Sequence, residues 1–156
     1  MKKSFSAEKF ESQKLPFKVK RLSPSIGAEL LEIDLREDLN QATLDMIYQA
    51  LLIYKVIFFR DQKFSPESQK SFANKIGTPI IYPFVKGLEN FPEITPILKK
   101  ETDTNNFGGI WHSDTTYQDE PPKGTMLYAL EVPDSGGDTE FSNQYLAYDT
   151  LSEGMK

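Results

Sequence analysis

A chain of 156 residues with formal net charge −5 has room for one domain and is too short for two comfortable ones. Its mild acidity and scattered Lys and Arg argue against a nucleic-acid partner, which needs a clustered positive field. It contains no cysteine, so disulfides, thiol nucleophiles and zinc–thiolate centres are excluded, and no stretch approaches the about 20 apolar residues of a membrane span.

Residues 1–15 are polar and charged and are expected to form a poorly ordered lead-in. The basic start at Lys2 and Lys3 has no apolar run behind it, so it does not read as a signal peptide, and the default address is the cytoplasm. Phe17-Lys18-Val19-Lys20-Arg21-Leu22 alternates apolar with charged residues, the pattern of a strand with one buried face. Pro24 and Gly27 punctuate a turn, and Ala28 to Ile33 reads as a second strand. From Asn40, a candidate N-cap, apolar residues recur at Leu44, Ile47, Tyr48, Leu51 and Leu52, the spacing of a helix with one apolar face. Val56-Ile57-Phe58-Phe59 is β-branched and aromatic, as expected of a strand buried on both faces. Ser65-Pro66-Glu67 opens a helix that Gly77 and Pro79 close. Further strands are expected at Ile94 to Leu98, Lys123 to Val132 and Asp138 to Phe141, with Gly136-Gly137 as a hairpin-like connection. A short amphipathic helix is expected from Gln144 to Glu153.

Chemistry enters at Trp111-His112-Ser113-Asp114. In an extended segment residues i and i+2 project to one face, so His112 and Asp114 can converge on a point. An imidazole nitrogen and a carboxylate suit a borderline divalent metal, and two His with one carboxylate is the facial arrangement of non-haem Fe(II) oxygenases. His112 is the one histidine of the sequence, so a second imidazole cannot come from these residues. A bare His-x-Asp also fits a hydrogen-bonded surface pair, and Asp114 alone fits a turn carboxylate. Trp111 reads as packing.

The surroundings add specificity. Asn105-Asn106-Phe107-Gly108-Gly109 leads into the motif, Thr115-Thr116-Tyr117 follows it, and then come Pro121-Pro122-Lys123-Gly124-Thr125-Met126-Leu127-Tyr128 and Gly136-Gly137-Asp138-Thr139-Glu140-Phe141. With Ile26-Gly27-Ala28, Val56 to Gln62 and Ala147 to Ser152, this order resembles the taurine dioxygenase-like family of Fe(II)/2-oxoglutarate-dependent oxygenases. The likeness covers most of the chain, with 16–156 as the N-terminal portion of a single oxygenase domain.

The resemblance implies a mixed α+β, mainly β fold: a double-stranded β-helix, or jelly roll, with flanking helices and with its C-terminal strands missing here. It implies Fe(II) held by His112 and Asp114, 2-oxoglutarate as cosubstrate and O2, and hydroxylation of a small organic acid or amine coupled to decarboxylation of 2-oxoglutarate to succinate. Thr139 falls where the family's threonine reaches the 2-oxoglutarate carboxylate, although it reads equally well as an ordinary strand residue. Leu127, with Met126, would line the same pocket. Tyr82, Val85 and Gly108 fall where relatives contact substrate. Tyr82 stands where the taurine enzymes place a histidine, and Gly108 where a polar amide is expected, which departs from taurine itself. The distal His and the Arg that clamps 2-oxoglutarate lie downstream in relatives, so the chain alone is expected to be inactive. Its partners would be a small-molecule substrate, with neither nucleic acid nor membrane, and either a homo-oligomer or a complementing C-terminal chain. The alternative is a catalytically dead jelly-roll remnant or binding module.

Overall fold

Alternation places Val19 opposite Leu30 and Lys20 opposite Glu29, so that β1 (Lys18–Arg21) pairs antiparallel with β2 (Ala28–Leu31). The computed structural model describes residues 6–104 and 108–156. The first five residues of the lead-in, and Asn105, Asn106 and Phe107 before the His-x-Asp motif, lie outside the described residues. The chain divides into two units, Met1–Lys63 with Glu131–Lys156, and Phe64–Leu130.

In the first unit the connection from β1 to β2 closes with Leu22 N–H donating to Gly27 O at 2.9 Å, and Gly27 takes φ +89°, a conformation cheap only for glycine. A parallel partner needs a crossover. Helix α2 (Gln41–Tyr54) supplies it, bringing β3 (Ile57–Phe58) alongside β2 in the order β1-β2-β3. Asn40 caps α2 by accepting from Thr43 N–H at 2.9 Å. The helix buries Thr43, Leu44, Ile47, Ala50 and Tyr54, one stripe at helical spacing. With Phe17, Ala28, Leu30 and Leu35, these form the core.

Glu29 is buried in the middle of that sheet. Its carboxylate accepts from Lys20 Nζ at 3.1 Å and from Arg60 Nε at 2.9 Å. These two cations hold its carboxyl below the usual range, Lys20 contributing most. A buried charge is tolerated when paired in this way.

The lead-in departs from expectation. Residues Ala7–Glu11 form a helix, α1, capped by Ser6, and Phe10 is fully buried with its ring edge-on to Tyr54 at 6.3 Å. Glu11 receives Arg21 Nε at 2.8 Å, Arg21 Nη2 at 3.0 Å and the Tyr54 hydroxyl. The Arg21 bonds lead in lowering the Glu11 pKa, and burial leads in raising that of Tyr54. One aromatic and one ion-paired carboxylate thus order a segment whose composition is polar.

In the second unit Ser65 and Ser68 form a capping box at the start of α3 (Pro66–Ile76), satisfying N–H groups that the first helical turn leaves open. Phe72 is its buried residue, and Phe64 packs between Phe72 (6.3 Å) and Tyr128 (5.5 Å, edge-on).

Several expected elements differ. β3 is half-buried and lies at the sheet edge rather than being buried on both faces. Ile94 to Leu98, Lys123 to Val132 and Asp138 to Phe141 are not strands, and Gly136 and Gly137, both at positive φ, join no hairpin. A β pattern becomes a strand only by pairing, and no ladder partner for these segments occurs among the described residues. The last helix, α4 (Gln144–Asp149), is shorter than expected and buries none of its residues. Among the described residues there is one three-stranded mixed sheet, and the two stacked sheets of a jelly roll are not formed.

Candidate metal centre

The His112 and Asp114 side chains lie side by side, Nε2 to Oδ1 at 3.3 Å, in an irregular segment rather than a strand. The other ring nitrogen decides what the pair can do. Nδ1 lies 2.7 Å from the carbonyl oxygen of Ile110; a carbonyl only accepts, so Nδ1 carries the hydrogen. Nε2 is then the nitrogen turned to the carboxylate. A proton held between the two, or a cation bound by both, accounts for the 3.3 Å approach, and a backbone carbonyl that orients the ring is the usual support of a metal-binding histidine.

The separation fits. Two ligands at right angles, each about 2.1 Å from a metal, stand about 3 Å apart. Both side chains are about half exposed, leaving room for further ligands. No group of three His, Cys, Asp or Glu able to hold a metal occurs among the described residues; His112 and Asp114 are a pair.

Two neighbours set this geometry. Gly108 has φ +70°, and a Cβ there would sit 3.3 Å from His112 Cε1; the glycine lets the backbone turn against the ring. Thr115, directly after Asp114, has φ +46° and is buried. A β-branched residue in this region is strained, and it directly follows Asp114 in the chain. Sequence reasoning missed Thr115, since nothing in Asp-Thr-Thr signals positive φ.

The remaining candidates fall elsewhere. Tyr82 and Val85, both half-buried, line an open pocket of about 500 Å³ formed by residues 81–92. Gly108 adjoins the histidine ring. Leu127 is exposed, while its neighbours Met126 and Tyr128 turn inward, so Met126 and Leu127 do not share a face. Thr139 is exposed and belongs to the first unit.

The sequence profile described as "Taurine catabolism dioxygenase TauD, TfdA family" matches residues 18–156. The chain belongs to this family. It is 34% identical over 139 residues to the alkylsulfatase of Acinetobacter baylyi, covering 88% of this chain and 43% of that one. To the alpha-ketoglutarate-dependent sulfate ester dioxygenase of Pseudomonas putida it is 35% identical over 132 residues, covering 84% and 43%. A solved taurine dioxygenase from Burkholderia xenovorans superimposes with TM-score 0.70 at 33% identity, over 89% of this chain and 49% of the other. The chain thus spans less than half the length of these relatives. As a member of this dioxygenase family it resembles them in backbone as well as sequence, and α1 precedes the matched region.

Proposed function

We propose that the chain supplies part of an Fe(II)- and 2-oxoglutarate-dependent dioxygenase that hydroxylates a small organic acid or amine while 2-oxoglutarate loses CO2 to become succinate. The observation that carries this reading is the pairing of His112 Nε2 with Asp114 Oδ1, 3.3 Å apart with Nδ1 against the Ile110 carbonyl. When bound, iron supplies the activation of O2. The chain's own residues do the holding: His112 and Asp114 offer two ligand atoms, Gly108 backs the imidazole, and Thr115 fixes the turn that aims the carboxylate. Thr139 and Leu127 keep the cosubstrate roles that the likeness to the family assigns them, a hydroxyl for a carboxylate and an apolar surface. Tyr82 and Val85 face the substrate.

His112 being the one imidazole of the sequence, the second comes from further C-terminal sequence or from a complementing chain, together with the Arg that would clamp 2-oxoglutarate. Those parts would also complete the jelly roll by pairing with the 123–132 segment, where Leu127, Leu130 and Val132 are exposed. Names of relatives point to organic sulfates and sulfonates, and a cytoplasmic enzyme acting on such an acid is the reading adopted. By itself the 156-residue chain turns nothing over.

The test is anaerobic titration with Mn(II), followed by its electron paramagnetic resonance signal, together with a succinate assay. Weak binding lost in both His112→Ala and Asp114→Asn, with no succinate formed, is the expected result. Binding indifferent to both substitutions would remove the metal reading, and iron-dependent succinate from the 156-residue chain would remove the claim that it is inert.

A further inference from the structure

Helix α1 is five residues long, far too short to hold its shape alone, so it is ordered by what it sits on. Two adjacent side chains do the seating. Phe10 goes fully under, edge-on to the Tyr54 ring. Glu11 takes both prongs of the Arg21 guanidinium from β1 at 2.8 and 3.0 Å, and the Tyr54 hydroxyl from α2. The stretch behind them is lightly held: Ser12 and Gln13 bond back into α1, and Lys14, Leu15 and Pro16 make no hydrogen bond or ion pair among the described residues. Residues 6–11 are thus an arm attached to the body by one aromatic ring and one carboxylate.

The arm does not fill its seat. A cleft of about 60 Å³ stays open beside Ala7, walled by Arg21, Ser23, Ile26, Ile53 and Tyr54, so an apolar side chain larger than alanine has somewhere to go. An aromatic slot next to a two-pronged cation is the kind of anchor by which short segments are held on protein surfaces. The whole seat belongs to the first unit, and α1 lies ahead of the residues matched by the family profile.

We propose that this seat is a docking socket for a segment of another polypeptide that carries an aromatic residue directly followed by a carboxylate, and that the chain's own Phe10-Glu11 occupies it in cis as a stand-in. The tethered arm is present at an effective concentration on the order of millimolar, so an incoming segment binds only to the fraction of molecules whose arm has left. The arm is the lock on the socket as well as the pattern for its key. A partner that places a larger apolar side chain at the position of Ala7 gains the contacts the resident arm forgoes.

The experiment reads neither iron nor succinate, so it stands apart from the dioxygenase reading. A synthetic peptide with the sequence of residues 6–13 is titrated into the isotope-labelled full chain, and backbone amide shifts are followed. The wild-type chain is expected to bind it weakly. Phe10→Ala in the chain, which releases the arm, should tighten binding at least about tenfold, with shifts centred on Arg21 and Tyr54. Glu11→Lys in the chain leaves the buried ring in place and turns the carboxylate into a charge that Arg21 repels; it should act in the same direction, and it carries the test if Phe10→Ala does not fold. A peptide with Phe10→Ala should bind at least about tenfold more weakly than the parent peptide, and one with Ala7→Leu about threefold more tightly. Adding Arg21→Ala to the released chain should weaken the parent peptide about two- to fivefold, the half-exposed guanidinium being partly screened, whereas Arg36→Ala should change nothing. Equal binding by wild-type and released chains, shifts centred elsewhere, or an Ala7→Leu peptide that binds no better would each overturn the proposal. So would a mixed-label sample showing the arm of one wild-type copy seated on another, since the resident occupant would then not be in cis.

Discussion

Replacing Gly108 by alanine separates two burdens that the structure places on one residue. The first is conformational: at φ +70° an L-residue costs about 1–2 kcal/mol. The second is steric: the new Cβ would lie 3.3 Å from His112 Cε1, closer than carbons ordinarily pack, so the ring must yield by a few tenths of an ångström. That movement is resisted by the Nδ1 bond to Ile110 and strains the alignment with Asp114. Gly136 provides the control, since it has φ +75° and a Cβ added there would meet nothing within 4 Å. Both Gly108→Ala and Gly136→Ala should lose about 1–2 kcal/mol in urea unfolding. Only Gly108→Ala should shift the His112 Cε1–H resonance and weaken Mn(II) binding, by about tenfold if the ring support behaves as outer partners of metal ligands do. An unchanged His112 resonance in Gly108→Ala, or an equal change in Gly136→Ala, would refute the steric argument.

Phe10→Ala should cost about 3 kcal/mol, the low end for a buried phenylalanine because α1 can undock rather than leave a cavity; hydrogen exchange at Ala7–Glu11 and urea unfolding measure it, and a loss under about 1 kcal/mol would mean that α1 contributes nothing to the fold. Thr115→Gly removes a β-branched residue from φ +46°, so thermal stability should hold or rise while Mn(II) affinity falls; a gain in affinity would show that the strain does not aim Asp114. Acid should destabilise the chain. The carboxyls of Glu11, Glu29 and Glu93 are held low by cations, and that of Asp34 is lowered to about 2 by Arg36. Because these folded values lie below the unfolded ones near about 4, the stabilisation is full above pH about 5 and disappears as pH falls toward 2. A urea midpoint flat across that window would contradict the ion-pair account.

Elements whose signals are local were legible in the sequence. Asn40 and Ser65-Pro66 start their helices where cap chemistry places them, and the alternation from Phe17 to Leu22 gives β1. α1 was not legible, because its order comes from Phe10 meeting Tyr54 and Glu11 meeting Arg21, partners remote in sequence that composition does not reveal. The Lys123 to Val132 segment carries a strand pattern without a ladder partner among the described residues, so local propensity there has nothing to act on. At the candidate centre, the spacing of His112 and Asp114 foretold their proximity, although through an irregular turn rather than a strand. Gly108 was read as a substrate position; a Cβ built there would also stand 3.3 Å from the imidazole of His112, a closeness that the sequence does not reveal.

The bond from His112 to the Ile110 carbonyl has a consequence for the backbone. With Nδ1 engaged there, the direction of the ring is tied to a peptide two residues upstream. Whatever turns that carbonyl swings Nε2 away from Asp114, so the pairing of the two side chains is kept by a main-chain atom of neither.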